Sequence, residues 1–260
     1  MVNITNLVKA PKNIKEAGYL KRKYYHLVIR MMNAYNVLVG ILNPKKFEPS
    51  DFKELDEIKK RSTKRTDISD HLVDLFWESF SVEPKLIVEL GVGPGESNFV
   101  LGTIANLFDA NLVSVDRNPK TEKQSSDRHF FINRDDVEFA TDFNQWCQER
   151  NIKPSIDILF IDTSHKYEHT LEEIKHWFGF LSDGSKAFFH DTNTHPIYWR
   201  KDGSVGLTYQ HEKRGVMRAI ESYLGASFNE KKNFCKSVNG WVINHHSFCN
   251  GFTILEKLPS

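Results

Sequence analysis

Two short stretches of this chain carry residues suited to acid–base or metal chemistry. One reads Asp162-Thr163-Ser164-His165-Lys166-Tyr167, the other His190-Asp191-Thr192-Asn193. Each follows or ends an apolar run with strand character, Ile156 to Asp162 and Lys186 to His190. If those strands are neighbours in a parallel sheet, Asp162, His165, His190 and Asp191 converge at the carboxyl ends, where ligands bind in such sheets. Carboxylates with a neutral imidazole suit a hard or borderline divalent ion. An ion of that kind lowers the pKa of a hydroxyl that it holds. His165 lies three residues past Asp162, and an imidazole titrating near neutrality suits a general base. His190 reads equally as a ligand or as a satisfied histidine at a strand end, and Asp162 can also contact a cofactor or cap the next helix.

A third stretch is built for binding. Leu86 to Leu90 reads as a buried strand running through Gly91-Val92-Gly93-Pro94-Gly95 into a helix from Ser97. Glycines are needed where the backbone takes positive φ or approaches a ligand closely. The dinucleotide fingerprint G-x-G-x-x-G/A fails, because the sixth position is Glu96 counted from Gly91 and Asn98 counted from Gly93. A phosphate-cradling P-loop is excluded because no Lys-Ser/Thr follows. The next apolar run, Asn111 to Asp116, ends in an acid able to accept hydrogen bonds from both hydroxyls of a ribose.

These stretches must be positioned by a sheet. From Pro84 to about Asp191, short apolar runs alternate with helix-period segments, the pattern of βαβ units. The expected strands are Leu86 to Leu90, Asn111 to Asp116, His129 to Asn133, Ile156 to Asp162 and Lys186 to His190. The expected helices between them are Ser97 to Phe108, Asp136 to Glu149 and Glu168 to Leu181. Ile158-Leu159-Phe160-Ile161 is continuously apolar, as a parallel strand buried on both faces should be.

Taken together, Glu89-x-Gly91-x-Gly93-x-Gly95, the acid at Asp116 and the pair Asp135-Asp136 resemble the class I S-adenosylmethionine-dependent methyltransferases. The D-x-x-H-x-Y at Asp162, with an acid following the fifth strand, looks like the macrocin-type sugar O-methyltransferases and their cephalosporin hydroxylase-like relatives. The likeness covers roughly Ser69 to Asp191. It implies an α/β, Rossmann-like, doubly wound seven-stranded sheet with the last strand antiparallel. It also implies S-adenosylmethionine as cofactor, held by Glu89, Gly91, Gly93, Gly95, Ser97, Asp116, Arg117, Asp135, Asp136 and Asp162. Asp162 and His165 would be catalytic, His165 as the base. Asp162, His190 and Asp191 would hold Mg²⁺ or Mn²⁺. One departure stands out: these relatives carry Glu-Asp where this chain has His190-Asp191, which leaves room for Mn²⁺ or for a site without metal, with Asn193 as a substitute oxygen ligand. The implied reaction is O-methylation of a small molecule, sugar or natural product. The alternatives are N-methylation without metal and a non-catalytic cofactor-binding protein.

Bulk properties narrow the partners. The chain has 260 residues, 40% hydrophobic and 27% charged, which fits one core with additions and argues against disorder. A formal charge of +1 calls for neither nucleic acid nor an anionic membrane. The Asn/Asp-Pro-Pro-aromatic signature of nucleic-acid methylation is also missing after the fourth strand. Cys147, Cys235 and Cys249 are odd in number and widely spaced, so no disulfide framework or zinc site is implied. The start lacks a signal-peptide pattern, and a cytoplasmic protein with a small-molecule acceptor, open to homo-oligomerisation, is expected.

The flanks are less explicit. Residues 1–80 read as a helical extension covering part of the pocket, and 81–260 as the main domain with a lid-like insertion around 192–214. Lys21 to Ile41 carries an apolar stripe through Tyr24, Leu27, Val28, Met31, Met32, Tyr35 and Leu38. Lys21-Arg22-Lys23 reads as a solvated helix end. A second helix is expected from Thr66 or Ser69 through Phe76. The insertion mixes His195, Tyr198, Trp199, Arg200, Tyr209 and His211 without periodicity, as a lid or a packed loop would. A helix from Gly215 to Leu224 follows, then a segment from Cys235 to His246 turning at Asn239-Gly240, and a last strand from Gly251 to Lys257. His245 and His246 are adjacent on a strand and point to opposite faces, so they cannot chelate together.

Overall fold

The computed structural model describes residues 19–117, 127–208 and 212–259, with side chains from residue 23 onward. Among the described residues, eight strands form one sheet. β1 (Leu86–Leu90), β2 (Asn111–Val115), β3 (His129–Ile132), β4 (Ile156–Ile161) and β5 (Leu181–His190) are parallel. A two-stranded ribbon, β6 (Ile197–Trp199) with β7 (Val205–Leu207), stands apart. β8 (Phe234–Val238), β9 (Trp241–His246) and β10 (Phe252–Lys257) complete the sheet in the order β3-β2-β1-β4-β5-β10-β9-β8. β10 runs antiparallel to β5, as the resemblance implies. The sheet has one strand more than seven because the Asn239-Gly240 turn, both residues at positive φ, folds β8 back onto β9.

Helices cover both faces. α2 (Lys53–Ser62), α3 (Leu72–Phe80) and α4 (Glu96–Leu107) bury Leu55, Ile58, Leu75, Phe76 and Ile104 against Ile158, Phe160 and Phe188. α5 (Asp136–Gln148), α6 (Tyr167–Trp177) and α7 (Gly215–Leu224) bury Phe139, Phe143, Trp177 and Ile220 against Leu159, Ile161 and Phe189. Alternate residues of β4 and β5 thus feed opposite layers, the consequence of the two-residue strand period. Burying each such side chain stabilises the fold by about 1.5–3 kcal/mol. The chain reverses direction across the sheet between β1 and β4, a switch point whose crevice opens at the carboxyl ends.

Three elements differ from the sequence reading. α2 has only two buried apolar residues, Leu55 and Ile58, among charged ones, too few to register as a period. β5 begins at Leu181 rather than Lys186: α6 ends at Trp177, a 3-10 turn spans Phe178–Phe180, and Leu181 pairs with Ile156. The aperiodic stretch after Asp191 contains the β6–β7 ribbon, fastened by Arg200. Its guanidinium donates to the carbonyls of Thr66 (2.8 Å), Arg65 (3.1 Å) and Val205 (2.8 Å) and to the Tyr198 hydroxyl (2.9 Å). Tyr209 and His211 of the same stretch lie outside the described residues, as do the side chains of Lys21 and Arg22.

The N-terminal helix α1 (Tyr19–Leu42) docks on that ribbon. The Tyr35 hydroxyl donates to the Gly203 carbonyl, and the Asn36 amide donates to the Val205 carbonyl and accepts from its N–H. Tyr25 and Val39 are buried, whereas Leu27, Met31 and Leu38 of the apolar stripe are exposed. Among the described residues, no helix is long and apolar enough to cross a membrane.

Candidate active site

The glycine loop is held from below. The Glu89 side chain is fully buried and accepts from Ser97 Oγ (2.8 Å), Asn98 Nδ2 (2.5 Å) and Ser114 Oγ (2.9 Å). This carboxylate therefore ties β1, β2 and the start of α4 into one unit. Glu89 and Ser97, both expected to touch a cofactor, are turned toward each other inside the protein and do not line the cavity above them. Gly91 takes φ +84°, and a Cβ there would sit 2.1 Å from the Asp162 carbonyl oxygen, so only glycine lets the loop pass over the end of β4. Asp116 Oδ2 accepts from the N–H groups of Val92 (3.0 Å) and Gly93 (3.2 Å), fixing the loop to the end of β2.

Above the loop lies a cavity of about 440 Å³ at the switch point. Gly91, Gly93, Asp116, Arg117, Asp136 and Asp162 line it, joined by Thr163, Lys166, Arg134 and His169. The size is that of a small-molecule pocket. Asp135 is placed differently from its neighbour. It caps α5 by accepting from Glu138 N–H (2.9 Å) and pairs with Arg117, so it orders the rim rather than forming the wall. Gly95 forms the left-handed N-cap of α4 and also lies off the wall. No described residue of α1 or of the 192–214 insertion lines this cavity. A second cavity of about 270 Å³ lies beside the insertion, between Asn193, His195, Tyr198, Trp199, Lys231 and Phe248.

The acid–imidazole group forms at the ends of β4 and β5. The His165 ring bridges two acids, with Nε2 3.0 Å from Asp162 Oδ1 and Nδ1 3.0 Å from Asp191 Oδ2. Both His165 and Asp191 have φ +57°, which is costly for residues with a Cβ and recurs at functional sites. Asp162, His165 and Asp191 each offer a ligand atom within 4.8 Å of the others. His190 adjoins this group, with Nδ1 3.3 Å from Asp162 Oδ1 and 3.6 Å from Asp191 Oδ1. It is 2% exposed, and its Nε2 lies 3.2 Å from the Asp67 carbonyl. Asn193 donates its amide to the Ser247 carbonyl (2.7 Å), and its Oδ1 is buried without a hydrogen-bond partner.

Charge and burial compete throughout. Burial lowers the proton affinity of His190, but the Asp162 and Asp191 charges outweigh it and bring the pKa up to about 10. His165 is likewise raised against burial, by Asp191 and then Asp162. Burial pushes Asp162 up, yet the His190 and His165 imidazoles hold it well below the carboxylate range. Asp191 goes the other way: burial outweighs the two imidazoles and raises it. Its Oδ1 is buried with no hydrogen-bond partner. A second cluster, absent from the sequence reading, joins Asp136 to His169 and Glu173 of α6. Burial pushes both acids up. For Asp136, hydrogen bonds from His169 and Glu173 outweigh that and bring it down to about 2; for Glu173, Asp136 adds to burial and lifts it well above the carboxylate range. The one signal for this cluster in the sequence was the i, i+4 spacing of His169 and Glu173, which a histidine and an acid on any solvated helix also show.

Residues 88–192 match a family model described as a methyltransferase domain. No curated protein matches the chain in sequence. In fold, the chain is similar to the MycE methyltransferase of the mycinamycin biosynthetic pathway, solved with Mg, SAH and mycinamycin VI. Identity is 18% and the TM-score 0.50, over 80% of this chain and 54% of that one, so this chain spans about half the length of that relative. It is also similar to CalS11, a TDP-rhamnose 3'-O-methyltransferase of calicheamicin biosynthesis (14%, TM-score 0.46, 80% and 96% covered). A third is the SAH-bound Podospora anserina methyltransferase PaMTH1 (13%, TM-score 0.44, 88% and 96% covered). The sheet, with β10 antiparallel beside β5, is similar in fold to that of the MycE methyltransferase.

Proposed function

We propose that the chain is an S-adenosylmethionine-dependent methyltransferase acting on a hydroxyl of a small molecule, sugar or natural product. The observation that carries this reading is the switch-point cavity. One wall is the glycine loop with Asp116, suited to an adenosine, and the other is Asp162, which His165 joins to Asp191. In the reaction, a lone pair of the acceptor oxygen attacks the methyl carbon of the sulfonium. The carbon–sulfur bond breaks with its electrons passing to sulfur, and S-adenosylhomocysteine leaves. His165 takes the hydroxyl proton at Nε2 once Asp162 turns from that nitrogen toward the acceptor, while Asp191 holds the ring through Nδ1. Positioning acceptor and sulfonium in line supplies most of the acceleration.

The chemistry of the donors also fits a divalent cation. Asp162, His165 and Asp191 are oxygen and imidazole donors grouped within 4.8 Å, and the buried Asp191 Oδ1 accepts no hydrogen bond. Asp162 and Asp191 would hold Mg²⁺ or Mn²⁺, which when bound makes an acceptor hydroxyl more acidic. Support for a divalent ion and a small-molecule acceptor comes from the Mg, SAH and mycinamycin VI recorded with MycE. The test is methyl transfer from labelled S-adenosylmethionine to a panel of hydroxylated glycosides and phenols, run with Mg²⁺, Mn²⁺ or EDTA. Labelled ether product supports the reading. Label in amines alone overturns the hydroxyl assignment, and equal rates in EDTA overturn the metal.

A further inference from the structure

A second group of ligand atoms lies apart from the His165 centre, where α5 meets α6. Asp136 is the first residue of α5, and His169 and Glu173 stand one turn apart on a single face of α6. His169 Nε2 is 3.2 Å from Asp136 Oδ1 and 3.5 Å from Glu173 Oε1. Four ligands at about 2.1 Å around a zinc-like ion stand about 3.4 Å from one another, so these separations need little change to close on a cation. Glu173 is fully buried; Thr163 Oγ1 donates to its Oε1 at 2.6 Å and Thr170 also favours its charge, while its Oε2 makes no hydrogen bond within 3.5 Å. A carboxylate with an orphan oxygen, placed against a second buried carboxylate, lacks positive charge. His169, the third member, is a quarter exposed and lines the cavity together with Asp136, which gives an ion an entry path and open positions for water or ligand.

We propose that Asp136, His169 and Glu173 form a site for a divalent transition ion of the Zn²⁺ or Mn²⁺ kind, distinct from the Asp162–His165–Asp191 group. Imidazole with two carboxylates is a donor set such ions accept, and helical histidine and glutamate ligands one turn apart are a recurrent way to build it. Thr163 orients Glu173 from behind, the role of an outer hydrogen bond in metal sites. The ion would clamp the start of α5 to α6 at the edge of the cavity and bring a positive charge to its wall.

The competing arrangement is a single proton shared by Asp136 and Glu173, with His169 paired to them and no ion. Co²⁺ titration of the metal-stripped full chain, followed by visible absorption and equilibrium dialysis, separates the two. In an Asp162→Asn, Asp191→Asn background, one Co²⁺ should still bind with a ligand-field band. His169→Gln and Glu173→Gln should each weaken it at least about tenfold. No Co²⁺ bound in that background overturns the site, as does a loss under tenfold in either glutamine variant. If the background variant fails to fold by circular dichroism, the count is made on the native sequence. Two ions falling to one in His169→Gln supports the site, and an equal count in both overturns it. The readout needs neither S-adenosylmethionine nor an acceptor, so it stands or falls separately from the methyl-transfer reading.

Discussion

Beneath the glycine loop, Glu89 meets donors from Ser97, Asn98 and Ser114, and these three are buried with it. One strand away, at the end of β5, Asp191 sits at positive φ with one oxygen accepting no hydrogen bond, and two imidazoles compete for the same acids. The first region is a satisfied network that fixes a shape. The second holds strain and unbalanced charge in reach of a cavity. Polar groups that satisfy one another rigidify a fold, whereas strained and under-satisfied groups gather where a ligand completes them. On the proposed reading, the contrast makes Glu89 a support and the His165 centre the place of chemistry, although both read as site residues in the sequence.

Substitutions can break that contrast, and the largest effect is expected at His165. His165→Ala should lower turnover by about 10²–10⁴-fold, the range for losing a general base, and leave S-adenosylhomocysteine affinity nearly unchanged. A variant that keeps its rate removes His165 from the chemistry. Glu89→Ala should instead lower stability by about 2–3 kcal/mol, because three buried donors lose their acceptor. Denaturant unfolding measures this, and a change under 0.5 kcal/mol would make Glu89 a dispensable neighbour rather than a brace. Asp116→Ala should weaken S-adenosylhomocysteine binding by about tenfold to a hundredfold through lost ribose hydrogen bonds and a loosened loop. Calorimetry showing unchanged affinity would take Asp116 out of the binding wall.

The smallest effect concerns a histidine outside both regions. His245 is fully buried on β9, faces the Glu230 carbonyl and Thr253 hydroxyl, and burial brings its pKa down to about 4. Its folded pKa is depressed, so the unfolded chain takes a proton first as acid is added. The stabilisation is complete above the ordinary histidine pKa near 6.5 and is lost as pH falls toward 4. Between pH 7.5 and 5.5 this amounts to about 1 kcal/mol. Chemical denaturation at the two pH values should show the native sequence gaining less, or losing more, stability on acidification than His245→Gln by about 1 kcal/mol, because the raised His165 and His190 act in the opposite sense in both. Equal slopes would show that another group carries the acid sensitivity.

How much of this was legible in the sequence depended on whether a feature has a period or a fixed spacing. The five parallel strands and the loop from Glu89 to Gly95 do, and their places were read to within a few residues. β5 was cut short because Ser182, Asp183 and Gly184 look like a turn, and only the pairing of Leu181 with Ile156, across a register shift, carries the strand back past them. The opposite faces of His245 and His246 followed from strand alternation, and β9 alternates in burial along its whole length. The β6–β7 ribbon had no such pattern. Its form depends on Arg200 reaching carbonyls more than a hundred residues away, which no local pattern records. The same limit hid the inward turn of Glu89 and Ser97 and the position of His190 beside Asp162. Convergence at strand ends is visible in a sequence, but which way each side chain turns is decided by its neighbours.

The central claim is that the switch-point cavity holds S-adenosylmethionine. Calorimetric titration of the full chain with S-adenosylhomocysteine tests it most directly. The account predicts one site per chain with micromolar affinity, weakened in Asp116→Ala and kept in His165→Ala. Absence of heat and of competition by S-adenosylmethionine, in a protein shown to be folded, would contradict it.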